Sequence, residues 1–402
     1  MRKILHVASL ARIGGHETAL CDFLEMDFIQ KKAAHHVYAL GNKIHPYLKI
    51  RLDHTPSSVT ISRSVMGVNV PRAVSKIIFN RLIKNHRPEL IIFWNSLGSL
   101  KFTWLFQSNI PYIHYERGNA AGTPYDLNKL AFLNGARLII ANSFSSSRHI
   151  ALRYKPETRV EVCLNGLSGM LAKHRVNPGK FSKDRPFRLG CCGRLVSIKG
   201  VPVAVQAVKI LKEAGCHAEL HIAGTGPEES HLFELARKIG VGEQVFFHGL
   251  LKSEELISFY ETIDLLVMPS IREAFGKASL EAQYMGCPVL VSRVDGGPET
   301  IVEGETGYSL SPVLDVEEYM ALGGTGNKLP QAVYNPDEDS LIPPRVLSPE
   351  HLADKIALLM QNPDLYQRLS ANAHEMAVKR FDYSAHTRKL WSIIEKASAG
   401  QV

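Results

Sequence analysis

Residues 187–200 read Phe187-Arg188-Leu189-Gly190-Cys191-Cys192-Gly193-Arg194-Leu195-Val196-Ser197-Ile198-Lys199-Gly200. A short apolar run ends in a glycine turn, the stretch Val203–Ala214 follows with helical spacing, and Ala218–Ala223 is a second short apolar run. Strand, turn, helix and strand in that order form the unit of a parallel sheet. The turn sets Arg194 and Lys199 at the carboxyl end of the first strand, where open sheets of this kind bind ligands. Arg194 can fork onto a pyrophosphate, and Lys199 adds a point charge.

The same alternation runs outward in both directions. Lys3–Ser9, His36–Leu40, Leu90–Asn95, Tyr112–Tyr115, Leu138–Asn142 and Val160–Leu164 read as strands in the front half, and Val245–His248, Leu265–Met268 and Pro288–Ser292 in the back half. Helical stretches such as Glu229–Ile239 and Ser279–Met285 lie between them. Short apolar strands separated by helices predict parallel sheets buried on both faces, hence two doubly wound α/β domains. A length of 402 residues fits two domains rather than one core. The polar, basic, proline-bracketed run Ala172–Pro186 suits a linker, which places the boundary near residue 180. Residues Ser311–Ser348, with Gly323-Gly324-Thr325-Gly326, several prolines and Asp337-Glu338-Asp339, predict a long irregular excursion. Asp337 and Asp339 suit a solvated charge cluster better than a metal site, and no metal is assigned.

Composition narrows the function classes. Apolar residues make up 45% and charged residues 21% of the chain, and no apolar run approaches the ~18 residues of a spanning helix. The start Met1-Arg2-Lys3-Ile4-Leu5-His6-Val7 lacks the long apolar stretch of a signal peptide, so a cytoplasmic chain is expected. Six cysteines without a C-x-x-C pair read as free thiols. Net charge is +8, but residues 1–170 hold 22 Lys and Arg against 10 Asp and Glu, so the front half carries +12. Such a field draws polyanions: nucleic acid, an anionic membrane surface or a phosphorylated acceptor, with plain solubility as the alternative. Residues Pro71–Asn85 have a helical pattern whose apolar Val74, Ile77, Ile78 and Leu82 should pack on the sheet, leaving Arg72, Lys76, Arg81 and Lys84 as a basic face. The front half has no compact Lys/Arg run interleaved with aromatics, which argues against nucleic acid as a partner.

Further motifs mark candidate site residues. After the first strand, Gly14 and Gly15 in Ile13-Gly14-Gly15-His16-Glu17-Thr18 could admit an anion to backbone N–H groups, a plain turn being the alternative. No G-x-G-x-x-G stands there, which lowers the case for a nicotinamide enzyme. In the back half, Glu273-Ala274-Phe275-Gly276-Lys277-Ala278-Ser279-Leu280-Glu281 sets two carboxylates eight apart across a glycine loop and a helix start. If the helix begins near Ala278, Glu281 lies on its first turn, where the dipole favours an anion and its oxygens can accept from ribose hydroxyls. Two surface glutamates are the plain alternative.

From Gly193 to Gly307 the signals Gly193-Arg194…Lys199-Gly200, Ala223-Gly224-Thr225-Gly226-Pro227, His248-Gly249-Leu250, Pro269-Ser270, Glu273-x7-Glu281-Ala282, Gly286-Cys287-Pro288-Val289, Gly296-Gly297-Pro298-Glu299 and Thr306-Gly307 follow one another. In this order the run resembles the nucleotide-sugar-binding domain of retaining glycosyltransferases of family four, the group 1 glycosyl transferases. Gly14-Gly15, Ala141-Asn142-Ser143 and Asn165-Gly166 extend the likeness more loosely into the front half. The resemblance implies a GT-B fold, two Rossmann-like domains facing each other across a cleft. Residues 1–180 would be the acceptor-binding domain, with a C-terminal helix over about 384–402 packing back onto it, and 181–383 the donor-binding domain. It implies that Arg194 and Lys199 hold the leaving diphosphate, that Glu281 clasps the ribose and that Glu273 faces the donor sugar. Ala274, Phe275, Gly276 and Lys277 would offer backbone N–H groups to sugar and phosphate, and Leu250, with Gly14 and Gly15, would line the donor site. Lys277 stands where many members carry an aliphatic residue. Many members also present a histidine after the fourth front-half strand; here the run is Ile113-His114-Tyr115-Glu116-Arg117, with Arg117 favoured for that place and His114 the alternative.

The activity implied is transfer of a sugar with retention, without a metal or other cofactor, from a nucleotide-sugar, a UDP-sugar favoured, to a hydroxyl of a glycan or lipid-linked acceptor. Bacterial cell-surface polysaccharide or lipopolysaccharide synthesis on the inner face of the membrane is the expected setting. A nucleotide-sugar 2-epimerase of the same fold is the alternative enzyme, and a non-catalytic nucleic-acid-binding protein the remote one.

Overall fold

The computed structural model describes residues 2–65, 67–71, 73–99, 108–167, 171, 174, 181 and 184–400. The chain divides into two compact units, Met1–Leu164 with Ser384–Val402, and Asn165–Tyr383.

The first unit is built on a seven-stranded parallel sheet in the order Ser58–Ile61, Ala33–Leu40, Arg2–Ser9, Leu90–Trp94, Tyr112–Glu116, Leu138–Ala141, Val160–Val162. Successive residues of each strand point to opposite faces, and both faces are apolar. Ile4 and Ala8 join Leu20, Phe23 and Leu24 of the helix Gly15–Gln30 in one core, while Leu5 and Val7 join Phe79, Phe93 and Phe132 in the other. The helix Tyr383–Ser398 completes the first of these cores with Leu390, Trp391, Ile394 and Ala397, spaced so that they share one face. Arg137 Nη1 ties it down by donating to the carbonyl of Ala397 at 3.0 Å.

The second unit repeats the architecture in six parallel strands, ordered Val245–Gly249, Ala218–Ala223, Phe187–Cys192, Leu265–Met268, Val289–Ser292, Gly307–Leu310. Doubly wound parallel sheets are what the sequence pattern implies. In each sheet the first strand is internal: the chain lays strands on one side of it, then crosses to the other. That crossing is the switch point where such sheets open a ligand crevice.

The structure departs from the sequence pattern at three places. The units divide at Leu164/Asn165 rather than near residue 180. The Leu167 N–H donates to the Phe381 carbonyl at 2.9 Å, the Tyr284 hydroxyl donates to the His174 carbonyl at 3.2 Å, and His174 meets Glu261 at 3.2 Å. These bonds hold the residues after Leu164 to the second unit; most of the linker Ala172–Pro186 lies outside the described residues. The segment 311–348 is irregular along most of its length, as its composition implies, but it is ordered by short elements. It contains the helix Val316–Ala321, a two-stranded antiparallel ribbon Val333–Asn335/Ser340–Ile342, and buried Tyr319, Val333, Val346 and Leu347. In the helix Val74–His86, Phe79 is buried and Ile78 and Leu82 pack against the same core, as their spacing implies, but Ile77 is 66% exposed, on the outer face with Lys76, Arg81 and Lys84; Arg72 lies outside the described residues.

Candidate active site

The strand Phe187–Cys192 runs into a turn that ends in one turn of 3-10 helix, Ser197–Lys199, before the helix Val201–Glu213 begins. Gly200, at φ 63°, makes the join, and any Cβ there would collide with the Pro269 carbonyl. The turn is thereby pressed against the end of the neighbouring strand Leu265–Met268. A cavity at this switch point is lined by Cys192, Gly193, Arg194, Lys199, Val267 and Pro269. Arg194 is exposed, and among the described residues its guanidinium has no ion pair. Lys199 Nζ instead donates to Glu273 Oε2 at 2.5 Å, with the two side chains 26% and 13% exposed.

Glu273 opens the second loop. Its N–H donates to Asp295 Oδ2 at 3.2 Å, and its carbonyl accepts from the Gly296 N–H at 2.8 Å. Phe275 is buried edge-on against Phe381. Gly276, at φ 98°, is the N-cap of the helix Lys277–Tyr284, a conformation that glycine adopts without strain. The helix starts at Lys277, so Glu281 is its fifth residue, beyond the first turn where the sequence reading put it. What fixes it is a hydrogen bond: the Tyr260 hydroxyl donates to Glu281 Oε2 at 2.9 Å. Burial pushes the Tyr260 phenol well above its ordinary pKa and keeps it a donor.

The structure thus gathers Arg194, Lys199, Glu273 and the 274–277 loop around one switch point, with Glu281 on the helix that leaves it. Leu250 follows the edge strand Val245–Gly249 and is 54% exposed; no contact among the described residues links it to the Lys199–Glu273 pair. Asp337 takes both Arg293 Nε and Nη2, at 2.8 and 2.7 Å, and Asp339 accepts from the Tyr334 hydroxyl at 2.9 Å. Both acids are engaged by protein groups. Burial pushes the Cys191 and Cys192 thiols, behind the cation turn, up to about 12.

In the first unit, Gly14 is the extended N-cap of Gly15–Gln30, and its carbonyl accepts from the Thr18 N–H and hydroxyl at 3.1 and 3.2 Å. Arg117 follows the strand Tyr112–Glu116 and reaches this turn: its Nη2 lies 3.4 Å from the Gly15 carbonyl, and its guanidinium carbon lies 5.0 Å from the centre of the Tyr115 ring. His114 is wholly buried, its Nε2 3.1 Å from Glu116 Oε2 and its ring edge-on to Phe132. That placement is the one a core histidine takes. Three supporting residues escaped the sequence reading. Asn95 Oδ1 accepts the N–H groups of Arg117 and Asn119 at 3.0 and 3.1 Å; Asp295 and Tyr260 brace the back-half carboxylates.

Two doubly wound parallel sheets make up the GT-B fold, which the structure shares with solved glycosyltransferases. The structure superposes on Anabaena HepE, solved with UDP and glucose, at a TM-score of 0.73 and 18% identity, covering 98% of this chain and 100% of that one. Residues 175–322 match the family model described as glycosyl transferases group 1, a little over a third of the chain. Over 121 residues the chain is 36% identical to D-inositol 3-phosphate glycosyltransferase of Corynebacterium diphtheriae, covering 29% of this chain and 28% of that protein. Over 128 residues it is 33% identical to the capsular polysaccharide biosynthesis glycosyltransferase CapM of Staphylococcus aureus, covering 30% and 32%. The matched stretches span about a third or less of these two relatives.

Proposed function

We propose that this protein moves a sugar from a nucleotide-sugar to a hydroxyl of a glycan or lipid-linked acceptor, with retention at the anomeric carbon. The observation that carries the reading is the cation turn: Arg194 and Lys199 at the carboxyl end of the internal strand, facing a carboxylate loop and a glycine-capped helix start. A departing nucleoside diphosphate gathers negative charge, and cations and N–H groups fixed beforehand stabilise it without reorganising. Lys199 and Arg194 would balance the diphosphate, so no metal is required. Glu281, held by Tyr260, would accept from the ribose hydroxyls, and Glu273 would face the sugar. With no carboxylate placed as a general base, the leaving phosphate would take the acceptor's proton.

The UDP and glucose bound by HepE favour a UDP-sugar as donor, and the capsular polysaccharide role of CapM favours cell-surface polysaccharide, lipopolysaccharide included, as the setting. No described helix is long and apolar enough to cross a membrane; the exposed basic face of Val74–His86 would hold the enzyme to the cytoplasmic leaflet as a peripheral protein. A thermal-shift panel of UDP-, GDP- and ADP-sugars tests the donor: a ligand at 100 times its Kd adds ~2.7 kcal/mol of stability. Stabilisation by one base series, followed by acceptor-dependent release of that diphosphate in EDTA, is the expected result. Release that needs manganese or magnesium would refute metal-free transfer, and interconversion of the donor sugar without an acceptor would show an epimerase.

A further inference from the structure

The segment between the last two landmarks of the donor-type unit, residues 316–342, touches both loops of the candidate site. At its start, the buried Tyr319 donates its hydroxyl to the Ser197 carbonyl at 3.0 Å, inside the turn that carries Lys199. Six residues on, Thr325 Oγ1 lies 2.5 Å from Ser197 Oγ, and both hydroxyls reach the Glu228 carboxylate, at 2.8 Å from Thr325 and 3.2 Å from Ser197. At its end, Tyr334 in the ribbon pairs with Asp295 through the backbone: the Asp295 N–H donates to the Tyr334 carbonyl at 2.9 Å and the Tyr334 N–H to Asp295 Oδ1 at 2.7 Å. The other oxygen of that carboxylate, Oδ2, accepts the Glu273 N–H. Asp295 is 2% exposed and sits at φ 49°, a conformation a non-glycine residue adopts only when its surroundings hold it there. The ribbon is anchored in turn by the Arg293–Asp337 fork.

We infer that residues 316–342 are a strap that holds each of the two loops by one of its ends, its Tyr319–Thr325 end positioning the cation turn and its Tyr334–Asp295 end positioning Glu273. The inference rests on the nucleotide-sugar reading and deepens it: the first end governs affinity for the diphosphate, the second the preference for a sugar on that diphosphate. Ser197 and Asp295 are positioning residues, since each acts on the ligand through a neighbour.

Titration calorimetry of the full chain with UDP, GDP and ADP and their glucose conjugates tests the strap, with thermal melting to confirm folding. Tyr319→Phe with Thr325→Val removes two hydroxyls and little volume; loss of such bonds should weaken the bound diphosphate and its glucose conjugate alike, by about five- to tenfold. Thr325→Ser, which keeps the hydroxyl, should restore most of the Thr325 share. Asp295→Asn should leave the free diphosphate within about twofold and weaken the glucose conjugate by about five- to tenfold, because the link from Tyr334 to Glu273 loses one of its two acceptors while the bonds to the cation turn stay. Folded variants that bind both ligands as the unmodified chain does, or that lose both equally whichever end is changed, would overturn the strap while the nucleotide-sugar reading stands. An unmodified chain that binds none of the nucleotides would overturn both.

Discussion

Lys199 and Glu273, 74 residues apart in the chain, hold each other at 2.5 Å across the mouth of the switch point. The pair keeps the ammonium of Lys199 at the cavity, where the proposed function places the diphosphate. Replacing Lys199 or Arg194 by Ala should therefore weaken nucleoside-diphosphate binding and lower turnover by ~10²–10³, with the melting temperature close to that of the unmodified chain. Glu273→Gln should cut turnover while leaving diphosphate affinity unchanged or improved, since the anion no longer competes for Lys199. Calorimetry and product release read both effects, and near-normal turnover in Lys199→Ala would remove it from the site.

Glu281 differs from Glu273 in its partner. A carboxylate that accepts from ribose hydroxyls binds ground and transition states about equally, so its loss should raise KM more than it lowers kcat. Glu281→Gln should show that split. Tyr260→Phe should reproduce it more weakly by freeing the carboxylate to turn, and a pure kcat defect in either variant contradicts the assignment.

The first sheet carries a buried polar chain: the Trp94 indole N–H donates to His6 Nδ1 at 3.0 Å, His6 Nε2 lies 2.9 Å from His35 Nδ1, and His35 Nε2 lies 2.8 Å from Asp27 Oδ2. Burial, then the neighbouring His35, holds His6 well below the ordinary histidine pKa, and burial and His86 lower His36 to about 4. The unfolded chain thus binds more protons than the folded one below pH ~6.5, and stability rises with pH in that range. Stability should be level above pH ~7 and should fall below 6.5, by up to ~1.4 kcal/mol per pH unit for each of the two histidines. The contribution of His36 should flatten below about pH 4. Urea unfolding across pH 4–8 checks the slope, and a flat profile would show that neither histidine is held neutral.

The basic face is exposed where lipid could meet it. Lys76, Arg81 and Lys84 lie on the outer side of Val74–His86 with Ile77, and Val68 of the short ribbon Ser64–Val65/Val68–Asn69 is likewise 66% exposed. Each basic residue held near an anionic surface contributes ~1 kcal/mol, an attraction that salt screens. Flotation should show the chain on anionic vesicles at low salt, off them at high salt, and absent from neutral ones. Lys76→Glu with Arg81→Glu and Lys84→Glu should abolish binding; absence from anionic vesicles at low salt would favour a water-soluble acceptor.

Trp391 is 1% exposed beneath the first sheet, its ring 5.2 Å from that of Phe23. Trp391→Ala should cost roughly 3–5 kcal/mol in that unit, as emptying a large core site does. Denaturation followed by near-ultraviolet circular dichroism would register a shifted first transition, and a shift under ~1 kcal/mol would mean the site collapses freely.

What the sequence made legible is what depends on period and order. The strands Phe187–Cys192, Ala218–Ala223 and Leu265–Met268 stand where their apolar runs put them. Ser58–Ile61 did not announce itself, because an edge strand of Ser-Val-Thr-Ile is only half-buried and has no apolar run. Gly307–Leu310 opens on a glycine, a turn signal in sequence, yet the glycine is there because a Cβ would strike the Val289 carbonyl of the paired strand. In the 311–348 segment, Asp315-x-x-Glu318 is a readable capping box, and it does start the helix Val316–Ala321. The glycines and prolines around it outweighed that signal. Asn95 and Asp295 adopt left-handed backbone at φ 52° and 49°, and Tyr260 meets Glu281 across two elements; single-sequence patterns carry no trace of such pairings.

The helix Tyr383–Ser398 has a consequence for synthesis. The second unit is one uninterrupted stretch, Asn165–Tyr383, whereas the first is assembled from both sides of it. Domains commonly complete themselves from the N-terminus as the chain emerges. Here the ribosome delivers the front sheet early but withholds Trp391 and Ile394, which seal one of its faces, until the second unit has been made in full. The earlier-made half must wait with part of an apolar face uncovered, so the half translated later is the first that can finish folding.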